Sequence, residues 1–292
     1  MKVKLQAFTE IKSCTALYAG YNSDDGHETL VRIETLCDGE RVMSKFAVIL
    51  AAAGKSSRFN AKSNPFAGGL RTKPFVALNG RAVWLYSAER FARRKDVAEV
   101  VLVVSPEDRR EVEDRYAMEI LLNRVKVVEG GAERYLSVQN ALAAISPDVD
   151  YVAVHDAARP CITDGEIERV FSEALRTGAA ILATPIVDSI KRSQRIDGDR
   201  TVVSSSVPRE NLWEAQTPQV FEKNLLTSAY RERAAEARPT DDCELIQALG
   251  RNVSIVPGSR FNIKITTGED LTIAEHYMDI VSKNNLKTGL FF

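Results

Sequence analysis

The chain has 292 residues, room for one large α/β domain or two modest ones. Lys and Arg number 39 against 40 Asp and Glu, so a net charge of -1 leaves no global field for nucleic acid or an anionic membrane. With 45% hydrophobic and 27% charged residues, no apolar run near the roughly 20 residues of a membrane span, and an opening "MKVKLQAFTEIKS" too charged for a signal peptide, the expected compartment is the cytoplasm.

Residues 1–44 differ from the rest. The runs "KVKLQAF", "CTALYAGY" and "TLVRIETL", with the turn-rich "NSDDGHE" and the Asp-Gly of "CDGERVM", predict a small β extension of three or four strands. From residue 46 strand and helix patterns alternate. Apolar runs recur at 46–52, 99–104, 124–128, 150–155, 179–184 and 252–256. Between them Trp84, Ala88 and Phe91 share a helical face, as do Val138, Leu142 and Ile145. Thr163 is a candidate N-cap for "DGEIERVFSEAL". This alternation predicts an α/β fold, a mostly parallel sheet flanked by helices, over 45–292.

Two segments stand outside it. Residues 60–72, "NAKSNPFAGGLRT", suit a loop lying over the neighbouring strand end, able to act as a lid. Residues 188–213 are polar, with a turn at Asp197-Gly198. They suit a protruding β-arm with too little apolar surface to stand alone, which predicts docking on a partner subunit.

The chemistry begins at "AVILAAAGKSSRF", residues 47–59. A buried strand opening into small residues is either a backbone-lined phosphate cradle, with Arg58 as its charged fork, or an ordinary strand-to-turn junction. One glycine and no following Walker lysine argue against a dinucleotide fingerprint and a P-loop. Lys73, across the loop, is a compact charge suited to a phosphoryl group, or a solvated lysine. In "VVEGGAERYLSV", Gly130-Gly131 admits close approach of a flat base and Ser137 offers a hydroxyl; a plain turn before a helix explains the same residues. "YVAVHDAARP" ends a buried strand in His155-Asp156, where open α/β sheets bind ligands. Asp156 suits Mg²⁺, Arg159 a second anion, and His155 a buried residue orienting Asp156. A histidine-rich metallophosphohydrolase is disfavoured, since only His27 and His276 remain. The cysteines Cys14, Cys37, Cys161 and Cys243 form no C-x-x-C pair and read as free thiols. Thr217 and Thr240 place hydroxyls at turn edges, and Thr240 reads equally as an N-cap. Lys264, between Ile263 and Ile265, either faces solvent or points into a site.

Taken in order, the cradle, "GGAER", "HDAARP", "DSIKR", "PRENLWEAQTPQVF", "TDD" and "NIKIT" resemble the 2-C-methyl-D-erythritol 4-phosphate cytidylyltransferases, from about Phe46 to the C-terminal helix. The resemblance implies a nucleotide-diphospho-sugar transferase-like fold and cytidylyl transfer from CTP to methylerythritol phosphate, with Mg²⁺ or another divalent cation, in non-mevalonate isoprenoid synthesis. It implies that Ala52, Ala53, Gly54, Arg58 and Lys73 hold the triphosphate, and that Gly130, Gly131 and Ser137 hold cytidine. Asp156 matches the carboxylate near metal and substrate. Arg159, Ser189, Arg209, Thr217, Thr240 and Lys264 match the phosphosugar side, with Arg58, Lys73 and Lys264 neutralising charge at the α-phosphate. It further implies a homodimer in which the arm completes the neighbour's site. This chain departs from the pattern at Ser56, where a glycine is usual, at Ser189 for threonine, at Ala132 for an acidic residue, in a longer Arg58–Lys73 spacing, and in residues 1–44. A ribitol 5-phosphate cytidylyltransferase and a non-catalytic nucleotide-binding protein are the alternatives.

Overall fold

The computed structural model describes residues 17–22, 28–33, 44–54, 70, 72–198 and 200–288. Arg58, most of the segment 60–72, and the runs "KVKLQAF" and "CDGERVM" therefore lie outside the described residues. The chain divides into two compact units, Met1–Met43 and Ser44–Phe292. In the first, β1 (Leu17–Asn22) pairs antiparallel with β2 (Glu28–Ile33), two of the strands expected there.

The second unit follows the alternation of its sequence. After β3 (Phe46–Ala51) come a 3₁₀ turn at Lys73–Phe75, the short strands β4 (Ala77–Leu78) and β5 (Arg81–Ala82), α1 (Val83–Ala92), β6 (Val97–Val104), α2 (Arg109–Arg115) and α3 (Ala117–Leu122). Then follow β7 (Val125–Glu129), α4 (Arg134–Ala144), β8 (Tyr151–Asp156), α5 (Asp164–Thr177) and β9 (Ala179–Pro185). The arm is β10 (Ile190–Arg195) and β11 (Thr201–Val207). The chain closes with β12 (Trp213–Glu222), α6 (Lys223–Glu232), α7 (Asp242–Ala248), β13 (Ser254–Pro257) and α8 (Gly268–Thr288).

Seven strands form the central sheet in the order β13-β9-β12-β8-β3-β6-β7. Neighbours are parallel except β12, which runs antiparallel between β8 and β9. The apolar runs expected as strands became β3, β6, β7, β8, β9 and β13. Of the strands in this sheet only β12 was not foreseen, because its polar "WEAQTPQ" start hides the strand period.

The alternation of side chains along β3 sorts the core into two layers. Val48 and Leu50 pack with Trp84 and Phe91 of α1 and Phe171 of α5. Ala47 and Ile49 pack with Val138 and Leu142 of α4, Tyr230 of α6 and Ile246 of α7. Stripping one such buried leucine, as in Leu102→Ala, costs about 2–5 kcal/mol. Thr163 caps α5 as expected: its hydroxyl accepts from Glu166 N–H while the Glu166 side chain accepts from Thr163 N–H, a reciprocal capping box. Gly178 ends α5 at φ 83, a left-handed conformation that disfavours a β-carbon.

Candidate active site

Parallel strands deliver their carboxyl ends to one rim of the sheet, and β3, β7 and β8 carry the candidate residues there. Ala52, Ala53 and Gly54 continue β3, with Ala52 N–H donating to Val103 O at 2.9 Å. Across from them lies the turn after β7. A β-carbon on Gly130 would stand 2.5 Å from Ala53 Cβ and 2.7 Å from Ser137 Oγ, so glycine lets the two loops touch. The Ser137 hydroxyl is buried and serves this turn from within: it accepts from Gly131 N–H at 3.1 Å and donates to Glu133 O at 3.1 Å. Its observed work is shaping the loop, whatever else the loop binds. Lys73 opens the 3₁₀ turn, half-buried.

Asp156, the last residue of β8, is the electrostatic centre. Lys264 Nζ lies 2.9 Å and Arg159 Nε 3.3 Å from its Oδ2, and Arg134 Nε lies 4.0 Å from its Oδ1. Burial alone would raise this carboxyl's pKa, but Lys264, Arg134 and Arg159 outweigh it and hold the group well below the usual carboxylate range. Asp156 is thus a fixed anion inside a cationic ring. Arg159 is itself buried, and its Nη1 donates to Asn262 O at 2.7 Å, so two of its guanidinium nitrogens are engaged within the chain. Lys264 sits in the loop after β13, its side chain 43% exposed and its Nζ directed at Asp156.

Behind this ring lies a buried polar chain. The register of β12 against β9 breaks between Ala215 and Gln219, and the break turns Thr217 toward β8. Its hydroxyl accepts from Asp156 N–H at 3.0 Å and lies 3.1 Å from His155 Nδ1. Arg159 O, which can only accept, lies 3.2 Å from His155 Nε2 beside the Ser87 hydroxyl, so in the neutral ring Nε2 carries the proton and Nδ1 accepts from Thr217. Full burial depresses the His155 pKa to about 4. Asn262 completes the frame, donating from Nδ2 to Thr217 O at 2.9 Å and Gln216 Oε1 at 3.2 Å. His155 therefore orients the site from below, as its sequence position implied. Thr217 belongs to the frame beneath Asp156.

The remaining candidates lie elsewhere. Ser189 and Arg209 are exposed at the base of the arm, with Arg209 Nη1 donating to Val187 O. Thr240 is exposed, its N–H and hydroxyl both directed at Glu244 Oε2. It is not the N-cap of α7: Asp241 is, accepting from Glu244 N–H at 3.0 Å. The extended backbone of Asp241 brings its carboxylate into capping reach one residue later than the threonine.

Arg134 and Asp242 were not singled out from sequence. Arg134 opens α4, and its Nη2 donates to Asp242 Oδ2 at 2.8 Å. Asp242, fully buried, also accepts from Tyr230 OH at 2.6 Å on Oδ1. Both residues stand inside quoted motifs, "GGAER" and "TDD", but a charge within a motif carries no sign of which distant carboxylate it meets.

A covered, mostly parallel sheet whose rim joins small-residue loops to an anion ringed by cations has the make-up of an α/β nucleotidyltransferase. The 2-C-methyl-D-erythritol 4-phosphate cytidylyltransferase family profile matches residues 46–280. The chain is 42% identical over 236 residues to the enzyme of that name from Solibacter usitatus, covering 80% of this chain and 96% of that one. It is 39% identical over 235 residues to that of Pelotomaculum thermopropionicum, with 80% and 94% covered. Among solved structures it is similar to 4-diphosphocytidyl-2C-methyl-D-erythritol synthase from Anaerococcus prevotii, with TM-score 0.66, 29% identity and 81% and 96% covered. It is also similar to the cytidylyltransferase of Thermus thermophilus, with TM-score 0.62, 32% identity and 80% and 98% covered. The chain belongs to the 2-C-methyl-D-erythritol 4-phosphate cytidylyltransferase family. Residues 1–45 precede the matched segment. No helix among the described residues is long and apolar enough to cross a membrane.

Proposed function

We propose that this protein transfers the cytidylyl group of CTP to 2-C-methyl-D-erythritol 4-phosphate, in non-mevalonate isoprenoid synthesis. The observation that carries this reading is the Asp156 carboxylate, held at the end of β8 among Lys264, Arg159 and Arg134. An oxygen of the 4-phosphate attacks the α-phosphorus of CTP. A new P–O bond forms, the bond from the α-phosphorus to the oxygen bridging it to the β-phosphorus breaks, and pyrophosphate leaves. The nucleophile is already an anion, so little general-base chemistry is needed. The difficulty is bringing two anions together, and the remedy is alignment and charge neutralisation.

The roles are assigned from the family resemblance, supported where the described residues lie at the same rim. The backbone of Ala52, Ala53 and Gly54 lines the triphosphate, with Arg58 and Lys73 neutralising the charge that grows at the α-phosphate. Gly130, Gly131 and Ser137 give a flat loop for cytidine. Lys264, half-exposed and tethered to Asp156, is assigned to the incoming phosphate. Ser189 and Arg209 are exposed on the arm, so their part in substrate binding is assigned to a homodimer in which the arm reaches the neighbour's site, while Thr240, outside the arm, is assigned to the phosphosugar side.

Among the described residues no cluster of three or more His, Cys, Asp or Glu side chains forms a metal cage. Asp156 still fits Mg²⁺: it offers hard oxygen, and Mg²⁺ is commonly held by one or two carboxylates with the rest of its shell from phosphate and water. Mg²⁺ there supplies further neutralisation of the triphosphate.

The test is pyrophosphate release by purified protein with CTP and Mg²⁺, offered methylerythritol 4-phosphate or ribitol 5-phosphate in turn. Release with the first and not the second is expected. Release with ribitol 5-phosphate alone moves the chain to that substrate, and release with neither removes the enzymatic reading.

A further inference from the structure

Asp156 has two oxygens in unlike surroundings. Oδ2 is held by Lys264 at 2.9 Å and Arg159 at 3.3 Å. Oδ1 has Arg134 Nε before it at 4.0 Å, beyond hydrogen-bond reach. That gap is notable because an unrestrained arginine beside a buried carboxylate closes onto it, preferably through two parallel bonds. Arg134 is restrained by Asp242. Its Nη2 is bound to Asp242 Oδ2 at 2.8 Å, and Asp242 is pinned by Tyr230 OH at 2.6 Å on its other oxygen. The backbone is pinned as well: Gln219 Oε1 accepts from both Asp242 N–H at 3.1 Å and Cys243 N–H at 3.0 Å. Gln219 in turn sits on β12, in register with Val154 of β8. The second carboxylate is thus built rigidly into α7, α6 and β12, and it pulls the arginine away from the first.

We propose that Arg134 is a positioning residue of the transfer reaction, and that Asp242 and Tyr230 act as its tether. The tether holds the guanidinium close enough to orient Asp156 but too far to neutralise Oδ1 by direct bonding. Among the described residues nothing bonds Oδ1 directly, and it is the oxygen left for a ligand, whether the metal accompanying CTP or a hydroxyl of a substrate. The named charges give the same picture. Asp156 and Asp242 against Arg134, Arg159 and Lys264 leave one net positive charge, suited to an anionic substrate, and the partition of Arg134 between two carboxylates keeps Asp156 from being over-neutralised. Arg134 touches neither reacting atom in this scheme and works through Asp156. The inference rests on the cytidylyltransferase reading for its catalytic consequence, though not for its geometry.

The distinctive consequence is a rescue. Asp242→Ala removes the tether, and Arg134 closes onto Oδ1. Turnover per folded site is expected to fall about ten-fold or more, with the KM for CTP changed far less. Adding Arg134→Gln removes the closing arginine, and the double variant is expected to recover several-fold over Asp242→Ala alone. Loss of a merely structural ion pair would change melting temperature and the folded fraction, but would leave the per-site turnover of the double variant no better than the single. Asp242→Asn keeps the shape where the alanine variant does not fold, with the same rescue expected at smaller size. A crystal structure of Asp242→Asn gives a readout independent of activity: Arg134 Nε is expected within hydrogen-bond distance of Asp156 Oδ1. If wild-type protein fails to turn over, the functional reading fails while this distance still decides the tether. A distance unchanged from 4.0 Å, or a double variant with no recovery, overturns the proposal.

Discussion

The end of β8 and the arm treat their polar residues in opposite ways. Around Asp156 nearly every polar atom is committed within one chain: Thr217, His155, Ser87, Asn262 and Arg159 hold one another in buried bonds of 2.7 to 3.3 Å. The arm is a two-stranded ladder whose side chains are largely exposed, and its two candidate residues, Ser189 and Arg209, face solvent. The lesson is that charge geometry near the chemistry can be finished by the fold of a single chain, whereas a bare hairpin, marginal by itself in water, leaves its candidate residues in solvent.

The largest expected effect probes the finished side. Lys73→Ala should lower kcat by about 10²–10³-fold while changing CTP binding much less, because charge develops at the α-phosphate mainly in the transition state. Steady-state kinetics beside calorimetric CTP binding separate the two. A raised KM with kcat kept would make Lys73 a ground-state binder.

Next comes the buried chain beneath Asp156. His155 is neutral when folded, with its pKa lowered from 6.5 to about 4 by burial. Protons therefore favour the unfolded chain across that window. The stability His155 contributes is present above about pH 6.5 and is lost as pH falls toward 4, by about 3 kcal/mol at most for a shift of this size. Asp156 does not confuse the measurement, since its folded pKa is lowered from 3.8 and its contribution is lost only below that value. Urea unfolding should show stability falling as pH drops from about 6.5 to 5, with a slope that grows from about half a proton toward one. A flat profile there would mean that His155 is hydrated and binds protons as in the unfolded chain, and stability rising as pH falls would mean that it is already charged in the folded protein.

What the sequence made legible divides along the same line. Strands such as Phe46–Ala51 and Tyr151–Asp156 were legible because burial on both faces writes an uninterrupted apolar run. Asp156 was legible because it ends such a run. The arm was recognised by lacking an apolar face. The tie from Arg134 to Asp242 was not legible: it joins residues 108 positions apart, and no local period encodes the meeting of two helix starts. Nor was β12, whose register break places Thr217 under Asp156 at the expense of a clean strand pattern. Arg58 and the 60–72 lid, readable as motifs, lie outside the described residues.

A third prediction sets the two regions against each other. Arg209→Ala and Lys73→Ala should each be nearly inactive. Unfolded together and refolded as an equal mixture, they should give half mixed dimers, each with one doubly defective and one intact site. Roughly a quarter of all sites then work, on the statistics of a two-fold dimer. Confirmed mixed dimers without activity would put Arg209 and Lys73 in the same subunit's site and end the shared-site scheme.

The smallest expected effect is also the most selective for the arm. Val203, on β11 opposite Ser193, is 63% exposed. Val203→Thr keeps the β-branched shape and replaces one methyl with a hydroxyl. In water that exchange is nearly neutral, within about 0.5 kcal/mol, as for most surface substitutions. Diluted to monomer, the variant should therefore melt with the wild type. Docked on a second copy, the same hydroxyl loses water, and without a partner it costs roughly 1–3 kcal/mol for each arm. Since about 1.4 kcal/mol is a ten-fold change, the dimer dissociation constant should rise at least several-fold by sedimentation equilibrium. An unchanged constant would leave Val203 facing solvent in the dimer, and the docked face of the arm would then have to be sought on its other side.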